Sequence, residues 1–140
     1  MKFRYLTDLQ SQTTGGRAKK RPVVEITLAA GDVQRDFFAV IDSGADVTTM
    51  SVEVAEILGI DWKSLSRGNL LGISGVMQRS YRGTLKLTVK ALDDTFVIPV
   101  VFTEAALPVL LGQEGFFDRY RIKFEKDHDT FELVKAPGVK

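Results

Sequence analysis

The sequence runs to 140 residues, with 19 basic and 18 acidic side chains and a formal net charge of +1, a balance that lacks the basic excess of a general nucleic-acid binder. At 44% apolar and 26% charged, with a mean hydropathy of +0.00, it lies near the globular average, which excludes disordered, collagenous and coiled-coil classes. A chain of this size buries roughly two thirds of its unfolded surface, enough for one domain with a single core. There is no cysteine, so disulfides, thiolate metal sites and cysteine nucleophiles are excluded, and a reducing, cytoplasmic setting is expected. The lone histidine, His128, rules out a Cys/His zinc site and leaves little room for a Ser/His/Asp triad. Any hydrolytic chemistry must then use carboxylates.

Residues 1–6 alternate, Phe3 and Tyr5 against Lys2 and Arg4, as in a short strand, and contain no secretory-signal core. No apolar run reaches the roughly 18 residues of a membrane span. The polar stretch 10–16, ending in two glycines and followed by Arg17, Lys19, Lys20 and Arg21, reads as a solvated linker, so residues 1–21 are taken as an N-terminal strand and linker and 22–140 as the domain. Val23 to Leu28 and Phe37 to Ile41, around a turn at Gly31-Asp32, predict a hairpin. Ser51 is placed to cap a short helix that Gly59 stops, with Val54, Ile57 and Leu58 on one face. Strands follow at Tyr81 to Val89, with Leu85, Leu87 and Val89 inward, and at Thr95 to Phe102, joined by a turn at Asp93-Asp94. Leu107 to Leu111 is a third apolar run. Gln113 to Tyr120 predicts a second short helix, and a last hairpin closes around Asp127-His128-Asp129. About eight strands and two short helices describe an all-β barrel or sandwich. Trp62 is expected to pack, His128 to lie in a solvated turn, and Asp93 and Asp94 to be turn acids.

The chemistry is expected at Asp42-Ser43-Gly44-Ala45. A carboxylate released at the end of a buried strand has its protonation set by its neighbours. Ser43 can brace such a loop and Gly44 permits close backbone approach. The tripeptide alone is weak, arising by chance in on the order of one chain in twenty of this length. An ordinary Asx turn would lie between weakly apolar flanks, whereas this one lies between Phe37–Ile41 and the strand-like Val47-Thr48-Thr49-Met50.

With these residues in view, the sequence resembles the retropepsin-like aspartic proteases, the single-lobe relatives of pepsin. Phe38 to Asp46 is similar to the family's apolar strand, Asp-Ser/Thr-Gly-Ala loop and following acidic position. Val109-Leu110-Leu111-Gly112 is similar to its apolar-apolar-Gly element, and Leu71 to Val76 lies where its flap is expected. The resemblance spans about residues 21–135 and implies a single-lobe acid-protease β-barrel acting as an aspartic endopeptidase on peptides or proteins, without cofactor or metal. It implies Asp42 as the catalytic residue, Ser43 and Gly44 as loop support, and Ala45, Asp46, Gly72, Ile73, Ser74, Gly75 and Val76 as substrate-binding positions. Gly112 and Gln113 would support the loop from behind. Carboxylate catalysis of this kind needs two aspartates sharing one proton, and each chain offers one such loop, so an isologous homodimer is expected, with the terminal strands Met1–Leu6 or Phe131–Lys135 as interface pieces. Many members carry an arginine in the Gln113 position; here a Gln113–Asp46 hydrogen bond is the expected substitute, weaker than a charge-assisted pair. Two other readings fit the residues: a noncatalytic peptide-binding or dimerisation module of the same fold, and a monomeric β-barrel ligand binder in which the loop is only a turn.

Overall fold

A computed structural model describes residues 1–12, 18–71 and 75–139. Its centre is a closed barrel of six strands. β1 (Lys2–Arg4), β2 (Leu6–Gln12) and β3 (Ala18–Arg21) precede it. The barrel opens with the predicted hairpin, β4 (Val23–Ala30) and β5 (Val33–Ile41), paired from Val23↔Val40 to Ala30↔Val33. β6 (Thr48–Ser51) and helix α1 (Val52–Ile57) follow, then the long hairpin of β7 (Ser66–Leu71) and β8 (Met77–Val89), then β9 (Asp94–Thr103) and β10 (Val109–Leu111). The chain ends in helix α2 (Phe116–Arg119), β11 (Tyr120–Glu125) and β12 (Thr130–Lys135). Neighbours run β4-β5-β10-β6-β9-β8, and β8 returns to β4 through Ile26↔Val89 to Ala29↔Lys86, which removes the open edge. The β5–β10 and β6–β9 pairs are parallel.

Period-two burial makes the barrel. Val24, Ile26 and Leu28 of β4 point inward with Leu85, Leu87 and Val89 of β8 and Ile98, Val100 and Phe102 of β9, all almost fully buried. Ser51 caps α1, its Oγ accepting the Glu53 N–H at 3.2 Å, and Gly59 takes a left-handed φ of 74° just past the helix. The buried face of α1 is Val52, Val54 and Ala55, continued by Leu58; Ile57, expected inside, is 51% exposed because that face centres on Ala55 and Leu58. Trp62 packs edge-on against Tyr81 with centroids 4.8 Å apart, and its indole N–H donates to Glu56. His128 sits exposed in a one-turn 3-10 helix before Asp129.

Three expectations change. The described residues hold twelve strands instead of about eight, in part because β2, β3 and β7 carry too few apolar residues to stand out from their flanks. Within the segment read as a linker, β2 and β3 pair antiparallel from Leu6↔Arg21 to Gln12↔Ala18. The third concerns Asp94. It is a buried anchor at the start of β9, 6% exposed, and only Asp93 serves the turn, with a φ of 49°. Arg119 holds the Asp94 carboxylate with two bonds, at 2.7 Å from Nε and 2.6 Å from Nη2; the Tyr120 hydroxyl donates to it as well, and Lys135 Nζ lies 3.1 Å away. Arg119 also stacks over Phe96, 4.3 Å from the ring centroid. The cluster joins β9, α2, β11 and β12.

The terminal strands pair with each other inside one chain. β1 lies antiparallel to β12, with Phe3 stacked on Phe131 at 5.1 Å, and β12 continues to β11 as a three-stranded sheet. Among the described residues no helix is long and apolar enough to cross a membrane.

Arg119, by its hydrogen bonds, holds the Asp94 carboxyl far below the usual carboxylate range against the opposing effect of burial, and Tyr120 and Lys135 add to it. Since the folded value lies below the unfolded one near 3.9, this stabilisation is complete at neutral pH and fades as the pH falls below about 4. Asp94→Ala should therefore lower the unfolding free energy by about 3 kcal/mol at pH 7. In urea titrations the gap to wild type should narrow at pH 3; a gap equal at both pH values would show that the charge of Asp94 contributes little.

Candidate active site

β5 delivers Asp42. Ala39 and Ile41 face the core, and the strand's last three residues pair in parallel with Val109, Leu110 and Leu111 of β10. The Asp42 N–H donates to the Leu111 carbonyl at 2.9 Å, and there the chain leaves the sheet. Asp42 is half-buried while Ser43 and Gly44 are exposed. The loop folds over its own aspartate: Gly44 N–H donates to Asp42 Oδ1 at 2.9 Å, and Ala45 N–H to the Asp42 carbonyl at 3.2 Å. A Cβ on Gly44 would stand 3.2 Å from Oδ1, tighter than an ordinary contact.

The second element locks the loop from behind. A Cβ on Gly112 would lie 2.6 Å from the Ala45 carbonyl oxygen and 2.7 Å from that of Val47, so only glycine allows the two chains to cross there. Gly112 N–H donates to the hydroxyl of fully buried Thr48 at 3.2 Å. Gln113 N–H donates to Ala45 O at 2.8 Å and Glu114 N–H to Asp46 O at 2.9 Å. The Gln113 side chain is bonded elsewhere than expected: its amide donates to the Ser43 carbonyl at 2.8 Å, not to Asp46, whose residue is exposed. The three bonds from Gln113 and Glu114 all end on loop carbonyls, which holds the Ser43–Asp46 backbone without neutralising a carboxylate.

Val40, Ile41 and Asp42 line an open groove of about 1010 Å³, with Leu6, Val23, Leu107 and Leu110 among the apolar residues around it. Where a flap is expected, β7 and β8 pair out to Leu71↔Met77. Gly72, Ile73 and Ser74 lie outside the described residues. Gly75, at a φ of 79°, and exposed Val76 lead into β8. The structure thus brings Asp42, Ser43, Gly44, Ala45, Asp46, Gly112 and Gln113 into one crossing.

Sequence reasoning missed three contributors. Thr48 was legible in principle, because it shares the inward side of β6 with Met50. Leu6 and Leu107 reach the groove only through tertiary packing, and no local pattern marks them.

A barrel closed by β8 and β4, with an Asp-Ser-Gly loop crossed by a glycine element, is the retropepsin-like fold of single-lobe aspartic proteases. Solved structures agree. A retropepsin-like aspartic protease from Rickettsia conorii superposes with a TM-score of 0.59 at 17% identity, covering 96% of this chain and 98% of its own. The EIAV protease, in complex with the inhibitor HBY-793, gives 0.54 at 14% identity over 68% of this chain and 84% of its own. The retroviral protease-like domain of Ddi1 from Leishmania major gives 0.50 at 16% identity over 82% and 92%. No protein-family model and no curated protein matches the sequence.

The crossing makes a specific demand on position 112. Gly112→Ala must push apart main chain on two segments and should cost about 2 kcal/mol or more. Gln113→Ala removes one exposed side-chain bond and should cost no more than about 1 kcal/mol. Thermal melts of the two variants should rank in that order; equal melting temperatures would mean that the crossing relaxes freely.

Proposed function

We propose that the protein is an aspartic endopeptidase whose active site is completed by a second copy of the chain. One observation carries this reading: the half-buried aspartate Asp42 is fixed by main-chain bonds on a glycine-crossed loop, at the edge of an open apolar groove. The fold supports it, and the chemistry supplies the stoichiometry. Two carboxylates held about one water apart share one proton. The ionised one takes a proton from the water as it attacks the peptide carbonyl, and the protonated one donates to the carbonyl oxygen. With one such loop per chain, Asp42 of two copies must face each other across a two-fold axis.

In this arrangement exposed Ser43 reaches toward the partner loop, and Gly44, Ala45 and Asp46 run along the substrate backbone. The β7–β8 hairpin covers the bound peptide and excludes water. Neither a metal nor an organic cofactor is required. A cysteine-free chain suits a reducing compartment such as the cytoplasm.

Incubation with a diverse peptide library from acid to neutral pH tests the chemistry. Wild type should cleave, and Asp42→Asn should be slower by at least about 100-fold. Equal activity of the two would overturn the assignment, and peptide binding without cleavage, unchanged in Asp42→Asn, would identify a noncatalytic binding module instead. Sedimentation should give an active species of twice the 15.5 kDa chain mass; cleavage by a strict monomer would contradict the shared site.

A further inference from the structure

The groove beside Asp42 is built from three separate segments: residues 6–7 with 21–23, the end of β5, and residues 106–110. The first is the unusual one, since it comes from the N-terminal stretch that precedes the barrel. It is held at both ends. Before it, Phe3 stacks on Phe131, the Tyr5 N–H donates to the Asp129 carbonyl at 2.8 Å, and the Tyr5 ring meets Phe131 edge-on at 5.9 Å. Beyond it, Leu6 and Thr7 pair with Arg21 and Lys20 in the β2–β3 ribbon. A segment pinned in this way presents its side chains in a fixed place.

Beside Thr7 and Arg21 it presents the apolar side chains of Leu6, Pro22 and Val23. Leu6 is 42% exposed and Phe38, on β5, is 62% exposed. Leu6, Val23 and Phe38 line both the groove and a neighbouring hollow of about 500 Å³, so together they form the ridge that divides the two. Exposed apolar side chains grouped at the rim of a groove gain free energy when a ligand covers them.

We propose that Leu6 is a wall of the peptide-binding groove and selects a large apolar side chain in the bound peptide. The proposal rests on the endopeptidase reading for its ligand. It makes the N-terminal segment part of the recognition surface, with Leu6 as a specificity-determining residue that takes no part in the chemistry.

The test separates binding from cleavage. In an Asp42→Asn background, fluorescein-labelled octapeptides that differ only in one central residue (Ala, Val, Leu or Phe) are titrated by fluorescence anisotropy. Affinity should rise with side-chain size. Leu6→Ala should weaken the Leu and Phe peptides by about fivefold and leave the Ala peptide unchanged. Leu6→Trp should narrow the groove and favour the small side chains. Because Leu6 is partly exposed, both variants should melt within a few degrees of the parent, which confirms that the wall and not the fold has changed. A size profile unmoved by both substitutions, or no binding of any peptide, would overturn the role of Leu6. Size-dependent binding that shifts with Leu6, combined with no cleavage by the chain with Asp42 intact, would keep the wall and remove the endopeptidase reading.

Discussion

The structure depends on one crossing. β10 runs parallel to β5, ends opposite Ile41, and passes Gly112 against the carbonyls of Ala45 and Val47 at a distance no side chain permits. From that contact follow the exit of Asp42 from the sheet, the bonds from Gln113 and Glu114 to the loop backbone, and the start of the chain segment that becomes α2. The same closeness lets fully buried Thr48 satisfy a main-chain donor from the other segment. A parallel pairing of three residues is a poor source of stability by itself; here the surrounding barrel holds the strands together, and the missing Cβ of Gly112 lets the chain beyond β10 cross the loop.

Two aspartates show how differently burial and bonding can treat the same side chain. Asp94 is enclosed and its oxygens are taken up by Arg119, Tyr120 and Lys135 across four elements. Asp42 is half-buried; its Oδ1 accepts one main-chain N–H, and Oδ2 has no partner among the described residues. A carboxylate with its lone pairs used up locks a fold, whereas one with an open oxygen beside a groove is available to a water or a second carboxyl group. The difference is one of surroundings, since the side chains are identical.

Much of this could be read from residues alone, and the exceptions have physical reasons. The β4–β5 hairpin, the inward Leu85, Leu87 and Val89, the Ser51 cap and the Gly112 element all express local rules of period, capping or glycine need. The β2–β3 ribbon did not show, because Ala18 to Arg21 is charged and gains its strand form from pairing with β2, which no composition signal announces. Asp94 looks like its neighbour Asp93 because both stand where the chain turns between two apolar strands; their fates part only when Arg119, far along the chain, arrives from α2. The aspartate loop was legible as a pattern, but the true target of the Gln113 amide, the Ser43 carbonyl, depends on how the backbone curls at the crossing. The groove wall at Leu6 required the assembled chain.

The pairing of β1 with β12 has a consequence for when the molecule becomes complete. The amine of Met1 donates to the carbonyl of Leu133, 132 positions away, and among the described residues β1 has no strand partner other than β12. Closing so long a loop is entropically costly and slow compared with forming local hairpins. During synthesis the first strand therefore waits for β12, and the β2–β3 ribbon, which Leu6 opens, is tied down on its β1 side only when that strand has formed. The barrel can begin to assemble early, but its groove acquires a finished edge only once β12 has been made.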